Sequence, residues 1–201
     1  MKKSKLPIKH LIDMSALTSD IILDIFQRTQ YFSRQCKKGN VLKTLADKQI
    51  INLFFEASTR TSNSFTIAAK RLGAILLNPT MSLSATAKGE SLLDTIYTLE
   101  AMGTNLFVIR HCANHTAQFL ASELKTHAAI INAGDGNNHH PTQGLLDLFT
   151  IQQHKPDFTA IKVAILGDIL HSRVARSLIE GLKIMGTRDI CIIAPASLTP
   201  P

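Results

Sequence analysis

The sequence predicts a mostly parallel, doubly wound α/β sheet domain followed by an incomplete second α/β domain. Three observations predict it. Strand and helix signals alternate after a first amphipathic helix, the strands are short apolar β-prone runs, and the helices open on hydroxyl, histidine or proline start signals.

Thr18 or Ser19 caps a first helix whose Ile21, Ile22, Ile25 and Phe26 form one apolar face, and which ends before Gly39. Ile50 to Phe55 is an apolar first strand, while Phe65, Ala68, Ala69 and Leu72 repeat at helical spacing and place a helix near Thr61 to Leu72. Further strands are expected near Ala74 to Leu77, Leu106 to Arg110, Ala129 to Asn132, Lys162 to Leu166 and Ile190 to Ala194. Helices fall between them, near Ser91 to Met102, His115 to Leu124, Pro141 to His154 and Ser172 to Met185. At His154-Lys155-Pro156-Asp157 a basic residue and a proline close a helix before a new strand begins at Ile161. The domain boundary is expected there, with four strands in residues 1–154 and two strands around one helix in residues 155–201. The second unit reads as unfinished, because Leu198-Thr199-Pro200-Pro201 stands where a further crossover should follow. No internal repeat or low-complexity tract is present.

At 201 residues and 45% hydrophobic, the chain can bury a real core. No apolar run approaches the roughly 20 residues that span a bilayer, and Met1-Lys2-Lys3-Ser4-Lys5 leads into no apolar signal core, so no membrane partner and a cytoplasmic location are expected. Cys36, Cys112 and Cys191 are odd in number, far apart and without a CxxC pair, which argues against a disulfide framework or a zinc knuckle. The net charge of +7 comes from scattered basic residues with no Trp and 5% aromatics, so small anionic substrates explain it without nucleic acid.

Phe54-Phe55-Glu56-Ala57-Ser58-Thr59-Arg60-Thr61 joins a strand to a helix and carries most of the functional information. The first helical turn offers unpaired N–H groups and the positive end of the helix dipole; Ser58, Thr59 and Thr61 add hydroxyls, and Arg60 can grip two phosphate oxygens. As plain structure, the same Ser and Thr are N-caps and the arginine is solvated.

Ser84-Ala85-Thr86-Ala87-Lys88-Gly89-Glu90 precedes the next helix and offers Lys88 as a point charge for an anion, or as an ordinary solvated lysine. Arg110 ends an apolar strand, where such sheets place ligands, and a guanidinium there can contact phosphate and carbonyl oxygens together; His111 beside it reads as structural. In Gly134-Asp135-Gly136-Asn137-Asn138-His139-His140-Pro141-Thr142-Gln143, Pro141 suits the first helical position, so His140 sits at or next to the N-cap. The helix terminus disfavours imidazolium and leaves a neutral donor; Gln143, one turn in, can accept from an NH₂ group. Adjacent histidines without a carboxylate or cysteine make a poor metal set. Leu166-Gly167-Asp168-Ile169-Leu170-His171-Ser172-Arg173-Val174-Ala175 is again strand, loop and helix start, without the GxGxxG of a dinucleotide site.

Ser-Thr-Arg-Thr after a strand resembles the carbamoyl-phosphate motif of the transcarbamoylases, the family of aspartate and ornithine carbamoyltransferases, and His-Pro-Thr-Gln resembles its second signature. Lys88, where ornithine enzymes usually carry glutamine, and the segment around Arg173 resemble the aspartate branch. The resemblance implies transfer of the carbamoyl group of carbamoyl phosphate to the α-amine of L-aspartate in pyrimidine biosynthesis, with no cofactor. It implies phosphate binding by Ser58, Thr59, Arg60 and Arg110, and by Ser84 and Lys88 of a neighbouring copy in a homotrimer with shared active sites. Thr61, Arg110 and His140 would surround the carbonyl oxygen, Gln143 would take the carbamoyl NH₂, and Arg173 with Lys88 would bind aspartate. It leaves room for a regulatory or dihydroorotase-like partner.

Two departures stand out. Ser62 and Thr66 occupy places where the family commonly has arginine and glutamate, so a helix-surface ion pair is expected to be missing. The family's aspartate domain also continues beyond the matched region, so the 201 residues are expected to hold carbamoyl-phosphate-binding groups without completing the aspartate site, to lack robust turnover, and to expose an unpaired sheet edge. A non-catalytic, trimeric transcarbamoylase-like scaffold and a carbamoyltransferase for another amine, such as ornithine, stand as alternatives.

Overall fold

A computed structural model describes residues 6–37, 42–79 and 91–199. In chain order the elements are α1 (Ser19–Lys37), β1 (Gln49–Phe54), α2 (Thr59–Arg71), β2 (Ile75–Leu77), α3 (Leu92–Ala101), β3 (Leu106–His111) and α4 (Thr116–Glu123). There follow β4 (Ala129–Asp135), α5 (Pro141–His154), β5 (Lys162–Leu166), α6 (Arg173–Ile184), β6 (Asp189–Ile193) and a 3₁₀ turn at Ala196–Leu198.

Four parallel strands form one sheet in the order β2-β1-β3-β4, and β5 and β6 pair in parallel as a separate two-stranded sheet. The predicted parallel α/β class is therefore the observed one. The chain leaves β1 toward β2 on one side and returns to β3 on the other. The carboxyl ends of β1 and β3 thus flank the point where strand order reverses, the place where open α/β sheets bind ligands.

Both faces of the larger sheet are covered, which is why its strands are continuous apolar runs. Ile51, Leu53, Phe107, Ile109 and Ile130 are buried on one face with Ile96 of α3 and Leu120 of α4. On the other face Ile50, Val108 and Ala133 pack with Ala69 of α2. At about 1.5–3 kcal/mol for each fully buried aliphatic or aromatic side chain, these two layers hold the sheet rigid behind the loops at its carboxyl end.

A third core joins the two sheets. Met14, Leu17, Ile22 and Phe26 of the N-terminal segment and α1 pack with Leu145 and Leu148 of α5, Phe158, and Leu182 of α6. Helices α5 and α6 approach closely because two glycines lie in their contact. A Cβ on Gly144 would stand 3.1 Å from Ser177, and one on Gly181 would stand 2.5 Å from Leu148 Cδ1. Of β5, Lys162, Ala164 and Leu166 face outward, and Leu166 is 77% exposed, as are Ile192 and Ile193 of β6 in part.

The structure shifts several expected boundaries. Helix α2 opens at Thr59, two residues before the expected start, because Ser58 (φ −156°, ψ 89°) is the residue that turns the chain into the helix. Strand β4 runs on to Asp135, three residues past Asn132, through an irregularity in its pairing with β3. The fully buried Asn132 makes this extension: its Oδ1 accepts from Gly134 N at 2.8 Å and its Nδ2 donates to Ile12 O at 2.7 Å. Ser91 caps α3 with a reciprocal Asp94 bond, so the helix proper begins at Leu92. Thr66 accepts from Asn52 and Asn78, each at 3.3 Å, so the position where the family commonly has glutamate carries a hydroxyl tied to β1. No helix among the described residues is long and apolar enough to cross a membrane.

Candidate active site

A cleft of about 500 Å³ opens at the switch point. Ser58, Arg60 and Thr61 from the start of α2 line it, together with Arg110 of β3, His140 and Gln143 at the start of α5, and Arg173 at the start of α6. Three helix N-termini and one strand end therefore converge. Thr59 is exposed at the first position of α2 and lies outside this lining, while Ser84 and Lys88 fall outside the described residues.

The α2 terminus suits an anion. Its first intrahelical bond is Ser62 N to Ser58 O, so the N–H groups of Thr59, Arg60 and Thr61 precede the ladder. No acidic residue occupies the first turn, and the Ser58 side chain makes no capping bond. That hydroxyl is thus left for a ligand, which separates Ser58 from an ordinary N-cap such as Ser91.

Arg110 is only 8% exposed. Its Nη2 donates to Glu56 Oε1 at 2.6 Å and its Nη1 to Ala133 O at 3.3 Å, while its buried Nε has no partner among the described residues. Arg173 donates to the same carboxylate, Nη1 to Oε2 at 3.2 Å and Nη2 to Oε1 at 3.1 Å, and also reaches Gly136 O at 2.6 Å. Glu56 therefore neutralises two guanidiniums that meet across the cleft. Hydrogen bonds from Arg173 above all, then from Arg110, with both positive charges, hold its carboxyl below the usual range against the opposing effect of burial. Gly134 makes the space: at φ +127° it carries no side chain, and a Cβ there would stand 2.9 Å from Arg110 Nη1 and 3.2 Å from Arg173 Cζ.

His140 is the N-cap of α5 with Pro141 following, as the spacing predicts. Its pKa is lowered to about 4, first by burial and then by the charges of Arg173 and Arg110, with Glu56 opposing. The ring is neutral at physiological pH, held so by burial and the two guanidiniums. Its backbone N–H donates to Ser177 Oγ of α6 at 2.9 Å, and Thr142 Oγ1 lies 3.4 Å from Nδ1. One turn on, Gln143 Nε2 donates to Asp147 Oδ1 at 2.9 Å, which fixes the amide and leaves its Oε1 as an acceptor. His111 is structural, as expected: its Nδ1 accepts from Ala113 N at 2.9 Å and its ring packs on Phe55.

The sequence alone assigns no role to Glu56, which lies within the first motif, nor to Asp147 or Ser177. The available signal for Glu56 was a carboxylate at the carboxyl end of a buried strand, where a charge needs a partner.

Chemically, the cleft offers a helix terminus and Arg60 for a tetrahedral anion, Arg110 and a neutral imidazole for a polarised oxygen, an oriented amide acceptor, and Arg173 for a further anionic group.

Residues 9–153 match the family model described as aspartate/ornithine carbamoyltransferase, carbamoyl-P binding domain. An aspartate carbamoyltransferase catalytic subunit from Coxiella burnetii (strain CbuK_Q154) is 52% identical over 198 residues, which are 98% of this chain and 63% of that protein. The chain therefore spans less than two thirds of the curated relative's length. The fold is similar to that of aspartate transcarbamoylase from Trypanosoma cruzi in complex with carbamoyl phosphate, with TM-score 0.88 and 32% identity over 98% of this chain and 60% of that one. The same enzyme in complex with carbamoyl aspartate and phosphate gives TM-score 0.88 and 32% identity, covering 98% and 63%.

Proposed function

Because the chain belongs to the aspartate/ornithine carbamoyltransferase family, we propose that it binds carbamoyl phosphate in this cleft and serves transfer of the carbamoyl group to the α-amine of L-aspartate, giving N-carbamoyl-L-aspartate and phosphate for pyrimidine biosynthesis. One observation carries the reading: the α2 terminus, Arg110, neutral His140 and Arg173 line a single cleft at the switch point of the sheet. The 52% identity to an aspartate carbamoyltransferase and the likeness to structures holding carbamoyl phosphate and carbamoyl aspartate favour this donor and acceptor.

In this reading the phosphate sits on the N–H groups of Thr59, Arg60 and Thr61, on the hydroxyls of Ser58 and Thr61, and on the Arg60 and Arg110 guanidiniums. The carbonyl oxygen takes hydrogen bonds from Thr61, Arg110 and His140, and Gln143 Oε1 accepts from the carbamoyl NH₂. Attack by the amine builds negative charge on the carbonyl oxygen, and donors already fixed by the fold stabilise it without reorganisation. A neutral His140 donates one hydrogen bond there without adding a third full positive charge beside Arg110 and Arg173. As the tetrahedral carbon collapses, its bond to the phosphate oxygen breaks and the departing phosphate takes the amine proton. Positioning two substrates supplies most of the remaining acceleration. Arg173 binds a carboxylate of aspartate, for which Glu56 must share or yield the guanidinium.

Ser84 and Lys88 complete the phosphate and aspartate sites from a neighbouring copy in a cytoplasmic homotrimer. Calorimetric titration of the chain with carbamoyl phosphate tests the binding half. Transfer from labelled carbamoyl phosphate to L-aspartate, with L-ornithine in parallel, tests the acceptor. Binding together with product from aspartate alone is expected from a chain that spans the whole length of the relatives; product from ornithine instead would overturn the assignment.

A further inference from the structure

Helix α6 carries Arg173, Ser177 and Glu180 at positions i, i+4 and i+7, which lie on one stripe of the helix. The first reaches Glu56 and the second accepts the His140 N–H at 2.9 Å. The third lies one turn further along, with Glu180 Oε2 at 3.5 Å from His139 Nδ1. Both of these atoms are shielded from solvent, and neither has a hydrogen-bond partner among the described residues. They face each other at the edge of bonding distance, inside a contact that already holds the neighbouring residue.

The charges acting on Glu180 come from three places: His139 in the loop before α5, Asp13 in the segment before α1, and Arg176 and Lys183 on α6 itself. Burial pushes the Glu180 carboxyl up, and Asp13 pushes the same way; the His139 charge, followed by Arg176 and Lys183, opposes them. A buried carboxylate facing a neutral ring is unfavourable, whereas the same carboxylate facing an imidazolium is compensated.

Resting on the functional reading above, we propose that Glu180 and His139 are positioning residues: by sharing a proton they bind the His139-His140 dipeptide to α6 and so fix the His140 ring relative to Arg173. Ser177 holds the backbone of the dipeptide, and the Glu180 pair adds a side-chain contact. His140, buried and neutral, is not part of that pair, which gives the two adjacent histidines separate tasks.

The test uses Glu180→Gln, His139→Gln and the double variant, all close in size to the native side chains. In His139→Gln, removal of the cation is expected to move the Glu180 carboxyl titration further up, read by ¹³C NMR. In Glu180→Gln, the His140 ring resonances are expected to shift and carbamoyl phosphate affinity to fall by about threefold. In the double variant two amides can hydrogen-bond, so affinity is expected to return to within about twofold of wild type. An unchanged Glu180 titration in His139→Gln, or unchanged His140 resonances in Glu180→Gln, would overturn the proposal. If the wild-type chain binds no carbamoyl phosphate while both NMR responses occur, the functional reading falls and the tie between the loop and α6 stands.

Discussion

Glu56 grips Arg173 with both carboxylate oxygens, at 3.2 and 3.1 Å, across 117 positions of sequence. Arg110 shares the same carboxylate at 2.6 Å. Removing the charge leaves two guanidiniums opposed across the cleft, so Glu56→Gln should lower stability by about 1.5–3 kcal/mol, the range for hydrogen bonds to charged groups. Urea unfolding at pH 7 measures this. A midpoint equal to wild type would mean that solvent already screens the pair.

Gly134→Ala should be harmful twice over. The residue sits at φ +127°, and the new methyl group would meet Arg110 and Arg173. Backbone strain of about 1–3 kcal/mol is expected, with a loss of carbamoyl phosphate affinity of about tenfold or more as both arginines are displaced. Thermal unfolding and calorimetry read the two effects separately.

Ser58 and Ser91 both precede helices, yet their replacement should differ. Ser91 makes a full capping box, so Ser91→Ala should cost about 1 kcal/mol of stability. Ser58 makes no capping bond, so Ser58→Ala should cost under about 0.5 kcal/mol while weakening phosphate binding. Equal destabilisation by the two variants would assign Ser58 to the helix instead of to a ligand.

His140 makes stability depend on pH. Its pKa is about 4 in the folded chain against an ordinary 6.5, so between those values the unfolded state binds more protons than the folded one. Stability is therefore complete above pH 6.5 and declines as pH falls toward 4, by about 3 kcal/mol in total for this group. His140→Asn should flatten that part of the profile. In a chain that spans the whole length of the relatives it should also lower turnover by about 2.7–4 kcal/mol of transition-state stabilisation if the ring serves an oxyanion.

Asp147 aims the Gln143 amide, and its carboxyl is pushed up by burial against the pull of the Gln143 bond. Asp147→Ala frees the amide to turn. Affinity for carbamoyl phosphate should fall by about 1 kcal/mol while affinity for inorganic phosphate, which has no NH₂ group, stays unchanged. Parallel calorimetry with the two ligands distinguishes orientation from general damage.

Much of this arrangement is legible locally. The strand–helix alternation, Pro141 at the first turn of α5, and the element ends carrying Arg60, Arg110 and Arg173 are written in short windows, because periodicity and capping act over a few residues. What the windows lack is the partner of each group. Glu56 finds Arg173, His140 finds Ser177, and Asn132 finds Ile12 only after the strands assemble, at separations no local pattern encodes. The early start of α2 was obscured for a different reason: consecutive hydroxyl residues serve equally as cap or first turn, and only the backbone angles of Ser58 decide between them.

At the contact of α5 and α6 the facing helix fills the space beside each glycine, Ser177 against Gly144 and Leu148 against Gly181. A side chain seated against a glycine resists gliding as well as separation, since either would lift it from its place. Because Arg173 sits at one end of α6, this seam fixes how far the arginine stands from the His140 side of the cleft, and a methyl group added in it would be felt at the ligand.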